Sequence, residues 1–65
     1  MNVWVAIVEH NGLWGCQGVF KDLDTAKAEL ENQWDVMSYQ TENDNAGHYT
    51  LKSGGIIALF KESLQ

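Results

Sequence analysis

Val3 to Phe20 reads VWVAIVEHNGLWGCQGVF, and the reading of this stretch decides the fold. Val, Ile and Trp fill its first half, the composition of a pleated surface rather than of a helix. Asn11-Gly12 follows. Asn-Gly is the strongest short signal for a two-residue type I′ turn, because both central residues need positive φ. With those two residues as the loop, counting outward sets the register. His10 faces Leu13, Glu9 faces Trp14, Val8 faces Gly15, Ile7 faces Cys16, Ala6 faces Gln17, Trp4 faces Val19 and Val3 faces Phe20.

Side chains alternate across the pleat, so this register sorts them into two faces. One holds Val3, Val5, Ile7, Cys16 and Phe20, with Trp14 towards its edge. The other holds Trp4, Ala6, Val8, Leu13 and Val19, with His10 and Gln17 as polar members. A half-exposed antiparallel strand alternates apolar with polar. This hairpin is apolar on both sides. Gly15 and Gly18 interrupt its second strand, and glycine there marks a bulge or a close backbone approach, either of which shifts the register.

Beyond the hairpin, Asp22 is placed to cap a helix and Asp24 to complement its dipole. Leu23, Ala26, Leu30, Trp34 and Met37 recur at spacings of three and four, one stripe of a helix. The spacing predicts a helix from Leu23 to about Asp35, its stripe covering the Val3–Val5–Ile7–Phe20 face. Val36 to Thr41 reads either as a fraying helix end or as a short strand. Thr41 to Gly47 (TENDNAG) is a polar loop by composition. His48 to Ser53 alternates as a strand, and Gly54-Gly55 is a second hairpin turn. Ile56 to Phe60 reads as a strand after that glycine pair, although Ile56, Ile57, Phe60 and Leu64 also fit helical spacing. The expectation is one α+β domain over residues 1–65, a small antiparallel sheet of ββαββ order packed on one helix, with one further strand before the acidic loop left open.

Composition narrows the function. A domain of about 60 residues buries only roughly 60% of its unfolded surface, so such chains lean on disulfides, a metal or oligomerisation. Cys16 is the single cysteine, which excludes an intrachain disulfide. With His10 and His48 it falls short of a four-ligand zinc set. Oligomerisation remains, and a homodimer is expected. Nine acids stand against four lysines and no arginine, for a net charge of −5. Direct nucleic-acid binding relies on Lys and Arg and is not expected. No stretch approaches the ~20 apolar residues of a membrane helix. Val3 to Val8 is too short, and lacks a basic flank, for a secretory signal. A soluble cytoplasmic protein is expected, and one free cysteine fits a reducing compartment. Seven of the acids lie between Asp22 and Asp44 with only Lys27 among them. They make either a solvated helix face or an acidic surface for a basic partner.

Catalytic arrangements find no support. Cys16 and His10 fall on opposite faces, and Glu9, Asp22 and Asp24 have no pocket to shift their pKa values. Glu42, Asp44 and Asn45 lack the calcium-loop pattern, and Gly12, Gly15 and Gly18 do not lead from strand directly into helix as a phosphate cradle does. No enzyme, cofactor or metal site is expected. The tryptophans say more, since Trp is enriched at interface hot spots. Trp34 belongs to the helical stripe. Trp4 lies on the uncovered face, so Trp4, Ala6, Val8, Leu13, Trp14 and Val19 are the expected dimer or partner interface. Cover by the C-terminal segment is the alternative. Glu29, Glu31 and Asp35 form the expected acidic partner face.

The order VWVAIVE, then GVF, then DLDTAKAELE resembles small uncharacterised bacterial and phage proteins over Asn2 to Gln33. That resemblance implies a ββα core and carries no catalytic residues. In kind, the short, acidic, cysteine-poor chain resembles phage and mobile-element proteins that inhibit host machinery, including anti-CRISPR and other anti-defence proteins. This implies a non-enzymatic inhibitor that occludes a site on a larger host protein. If the host protein is a nucleic-acid enzyme, the acids stand in for phosphates. The alternative is a structural or regulatory subunit docked permanently in a larger assembly.

Overall fold

The computed structural model of the protein describes residues 2–63. Strands β1 (Asn2–His10) and β2 (Leu13–Phe20) precede helix α1 (Leu23–Gln33). Strands β3 (Val36–Asn43), β4 (Ala46–Leu51) and β5 (Ile56–Ser63) follow. They form one antiparallel sheet of order β2-β1-β5-β4-β3. The expected α+β class, a small ββαββ sheet packed on one helix, is overturned. The order is ββαβββ and the fold is β-rich, with 63% of the described residues in the five-stranded sheet and a single short helix among them.

The source of the error is the stretch from Val36 to Gly47. Val36 to Thr41, open between a helix end and a short strand, is a strand, and it runs on into what reads as a polar loop to make a β-hairpin with β4, Tyr39 paired to Tyr49 and Gln40 to His48. Its turn is Asp44-Asn45, where the Asn45 N–H donates to Asn43 Oδ1 at 2.7 Å. β3 is an edge strand, and most of its side chains are exposed. Polar residues suit such a strand as well as they suit a loop.

The opening hairpin turns as its residues require, with φ of 55° at Asn11 and 81° at Gly12. The counted register holds for His10–Leu13, Glu9–Trp14, Val8–Gly15 and Ile7–Cys16. Then it slips: Ala6 faces Gly18, Val5 faces Val19 and Trp4 faces Phe20. Gln17 is the extra residue of a β-bulge, and one extra residue sends every later side chain to the opposite face. Phe20 thereby joins Trp4. Its ring lies over Gly18, where a β-carbon would sit only 3.0 Å from Phe20 Cζ. Lys21 and Asp22 then lead the chain from this side into α1.

The helix therefore lies over Trp4, Ala6 and Val8, and the expected cover of the Val3–Val5–Ile7 face is corrected. Ala26 and Leu30 of α1 join those three with Tyr49, Leu51, Ile57 and Leu59 in the buried core. Phe20, Leu23, Trp34, Val36 and Tyr39 pack around it. Asp22 caps the helix by accepting the Thr25 N–H at 2.7 Å, and the Trp34 N–H closes the last turn on the Leu30 carbonyl at 2.9 Å. Met37, counted on the same stripe by spacing, is exposed on β3. β1 and β5 are interior strands, β1 between β2 and β5 and β5 between β1 and β4, so both edges of each are paired. No helix among the described residues is long and apolar enough to cross a membrane.

Candidate functional site

The face away from α1 is built by alternation from the same pairings. β1 contributes Val5 and Ile7, paired with Phe60 and Ala58 of β5. β2 contributes Val19 beside Val5 and Cys16 beside Ile7. Trp14 and Ile56 flank Glu9 at the hairpin end. On the other half of the sheet the same face turns polar, with His48 and Thr50 on β4 and Gln40 and Ser38 on β3. The face is thus divided: three apolar strands, then two polar ones. Trp14 is 65% exposed, Val19 61% and Phe60 39%. No helix lies over it among the described residues.

Two of its polar groups are engaged locally. Glu9 turns its carboxylate into the hairpin turn, where Oε2 accepts the Gly12 N–H at 3.0 Å. His48 Nδ1 lies 2.8 Å from Glu42 Oε1. Cys16 carries a free, exposed thiol. Among the described residues there is no concave pocket and no group of three His, Cys, Asp or Glu side chains arranged to hold a metal ion.

The six residues expected at an interface divide between core and surface. Trp4, Ala6 and Val8 are buried beneath α1 and present nothing to a partner. Leu13, Trp14 and Val19 are exposed. Trp14 and Val19 reach the open face, whereas Leu13 stands at the hairpin tip opposite His10, on the helix side. The reason is the bulge at Gln17, which moves Val19 from Trp4's face to Val5's. Sequence reasoning passed over Val5 and Ile7, assigned to the core, and over Ile56, Ala58 and Phe60. Ile56 to Phe60 is as two-sided as β1, which marks an interior strand without saying which strand lies beside it.

The three carboxylates expected to form an acidic face have separate partners. Glu31 accepts a hydrogen bond from the Tyr49 hydroxyl at 2.5 Å. Burial, then that hydrogen bond and the negative charge of Glu31, push the Tyr49 phenol well above its usual value of 10. Glu29 accepts from Gln33 Nε2 at 3.4 Å, and Asp35 faces Lys52 Nζ at 3.5 Å. Residues two apart on a helix point in different directions, and Asp35 lies past the helix end, so the three do not present one surface. Next to them, Lys27 Nζ sits 4.4 Å from the centre of the Tyr39 ring, which packs against Tyr49 at 4.8 Å.

No protein-family model, curated protein or solved structure matches the chain.

Proposed function

We propose that this protein is a binding module that works by protein–protein contact, with the open face of β2, β1 and β5 as its docking surface. The observation that carries the reading is the row of apolar side chains there: Val19 and Phe60 exposed, with Val5, Ile7 and Ala58 half-buried beside them. Three strands spaced ~4.8 Å apart, rising ~3.3 Å per residue over about seven residues, give an apolar area of roughly 300 Å². That is the size at which exposed apolar patches mark interaction sites. Of the polar groups around it, Glu9 is bonded within its own turn and His48 lies against Glu42, which supports contact over catalysis. The wider reading is a small cytoplasmic protein that needs no cofactor and occludes a host protein. Its supports are the net charge of −5, the lone free thiol and the likeness in kind to phage inhibitors.

Cys16 reports on this face directly, since it lies beside Ile7. The tagged chain is expressed in cells, and Cys16 alkylation by a bulky maleimide is timed in fresh lysate. The comparison is a V19Q/F60Q variant, polar but uncharged so that thiol chemistry is unchanged. A covered face makes the unmodified chain react several-fold more slowly than the variant. Equal rates overturn the reading.

A further inference from the structure

We infer that the occupant of the open face is a second copy of this chain, packed sheet against sheet about a two-fold axis. This inference rests on the reading of that face as a docking surface. Size comes first. The apolar half alone, roughly 300 Å² per copy, buries about 600 Å² in a pair; with the polar β4 and β3 half included, five strands about 4.8 Å apart and roughly seven residues long project about 500 Å², so two copies bury about 1,000 Å², the area at which a specific interface becomes credible. Two identical faces also match in outline, and their equal twist suits the aligned packing of sheets, about 10 Å apart and near −30°.

Relief across the sheet is self-complementary. One cross-strand row runs Cys16, Ile7, Ala58: a large side chain with a small one on each side. A two-fold places Ile7 of each copy over a hollow at Cys16 or Ala58 of the other, the reciprocal exchange an isologous interface demands. Charge agrees. The apolar centre carries none; at the margins the Glu9 carboxylate is turned into its own turn, Glu42 lies against His48, and Glu62 stands beside Val3 at the far end of β5. Asp22, Asp24, Glu29 and Glu31 belong to α1 and its cap, on the opposite side of the sheet. Two chains of like net charge therefore meet without opposing carboxylates at the centre. A basic partner, by contrast, is drawn to the helix side.

Sedimentation equilibrium of the purified full chain at micromolar concentration tests the inference, alongside timed Cys16 alkylation of the same sample across a dilution series. The expected result is twice the 7.3 kDa chain mass, with Cys16 slow to react when concentrated and several-fold faster on dilution. V19Q/F60Q is expected to be a monomer with an unchanged circular dichroism spectrum, because both side chains are exposed in the single copy. A 7.3 kDa monomer with open Cys16, when lysate nevertheless protects it, overturns the second copy as occupant and leaves the docking surface standing. Open Cys16 in both samples overturns both. A dimer whose Cys16 reacts as fast as in the urea-unfolded chain, or which survives V19Q/F60Q, uses another surface and also overturns the inference. The dilution series needs no variant, so a variant that fails to fold does not blunt the test.

Discussion

Gly55→Ala is the substitution whose cost follows most directly from the structure. Gly55 closes the β4–β5 loop against the end of β1. A β-carbon there would lie 2.5 Å from the Glu9 carbonyl oxygen, 3.1 Å from His10 Cδ2 and 3.4 Å from Leu51 Cδ1. Carbon–oxygen contacts settle near 3.3 Å, so the loop has to retreat by about 0.8 Å. The obstacle is backbone held in the sheet, and no rotamer change relieves it. Retreat strains the Leu51 N–H bond to the Gly55 carbonyl, now 2.8 Å, and the neighbouring Glu9–Ile56 pairing. Overpacking costs about 1–3 kcal/mol and one weakened hydrogen bond about 1 kcal/mol, so the expected loss is about 2–4 kcal/mol. A chain of this size holds roughly 3–10 kcal/mol in total. Urea unfolding followed by tryptophan fluorescence reads the loss as a lower midpoint at unchanged slope. Gly15→Ala is the matched control, having negative φ and no atom within 4 Å of the added carbon. It is expected to be neutral or to stabilise by about 0.4–1 kcal/mol through the unfolded chain. A Gly55→Ala protein within about 1 kcal/mol of the parent, with the same slope, refutes the close approach of this loop to β1.

Further outcomes concern the polar groups on the helix side. Tyr49→Phe removes the hydroxyl that donates to Glu31 and should cost about 1 kcal/mol near neutral pH, read from the same urea curves. The folded phenol is raised above its unfolded value of 10, so the stability it contributes is complete below pH 10 and lost as pH rises beyond it. The gap between parent and Tyr49→Phe should therefore narrow above pH 10, and a constant gap would contradict the hydrogen bond. At the other end of the scale, the bonds from Thr25 hold the Asp22 carboxyl below its usual 3.8. Its contribution is present above pH 3.8 and lost as pH falls through the folded value. Asp22→Ala should lower helical circular dichroism at neutral pH and flatten the acid dependence below pH 4, whereas identical acid titrations would rule out the cap.

Much of the hairpin was legible because its determinants are local. Asn11-Gly12 dictates the turn, and four residue pairs follow from it by counting. Helix α1 was legible too, through Asp22 and the Leu23–Ala26–Leu30 spacing. The bulge was not. Gly15, Cys16, Gln17 and Gly18 offer several places for an extra residue, and choosing Gln17 reverses the face of Val19 and Phe20. Since β1 is apolar on both sides, hydrophobic pattern alone could not say which side α1 would take. β3 stayed open between a strand and a helix end for a different reason: an exposed edge strand has no need of the alternation that reveals a half-buried one. On the open face, Val19 arrives only through the bulge, having been counted onto Trp4's face, while Trp4, Ala6 and Val8 were grouped together correctly but on the face that α1 covers. Val5, Ile7, Ala58 and Phe60 emerge only once β5 is known to pair with β1, a contact between the first and last strands that no local pattern encodes.

That pairing also constrains how the chain reaches its native state. The β1–β2 hairpin and the β3–β4 hairpin are each joined by two-residue turns, and such units form within about 1–10 μs. Neither hairpin touches the other in the sheet; β5 alone bridges them, pairing β1 on one side and β4 on the other. Closing β5 onto β1 links residues as distant as Asn2 and Ser63, so the entropic cost of a long loop falls before the compensating contacts form. Folding is expected to wait on that single closure, with the two hairpins fluctuating independently until the last strand locks them together and unfolding beginning when it leaves.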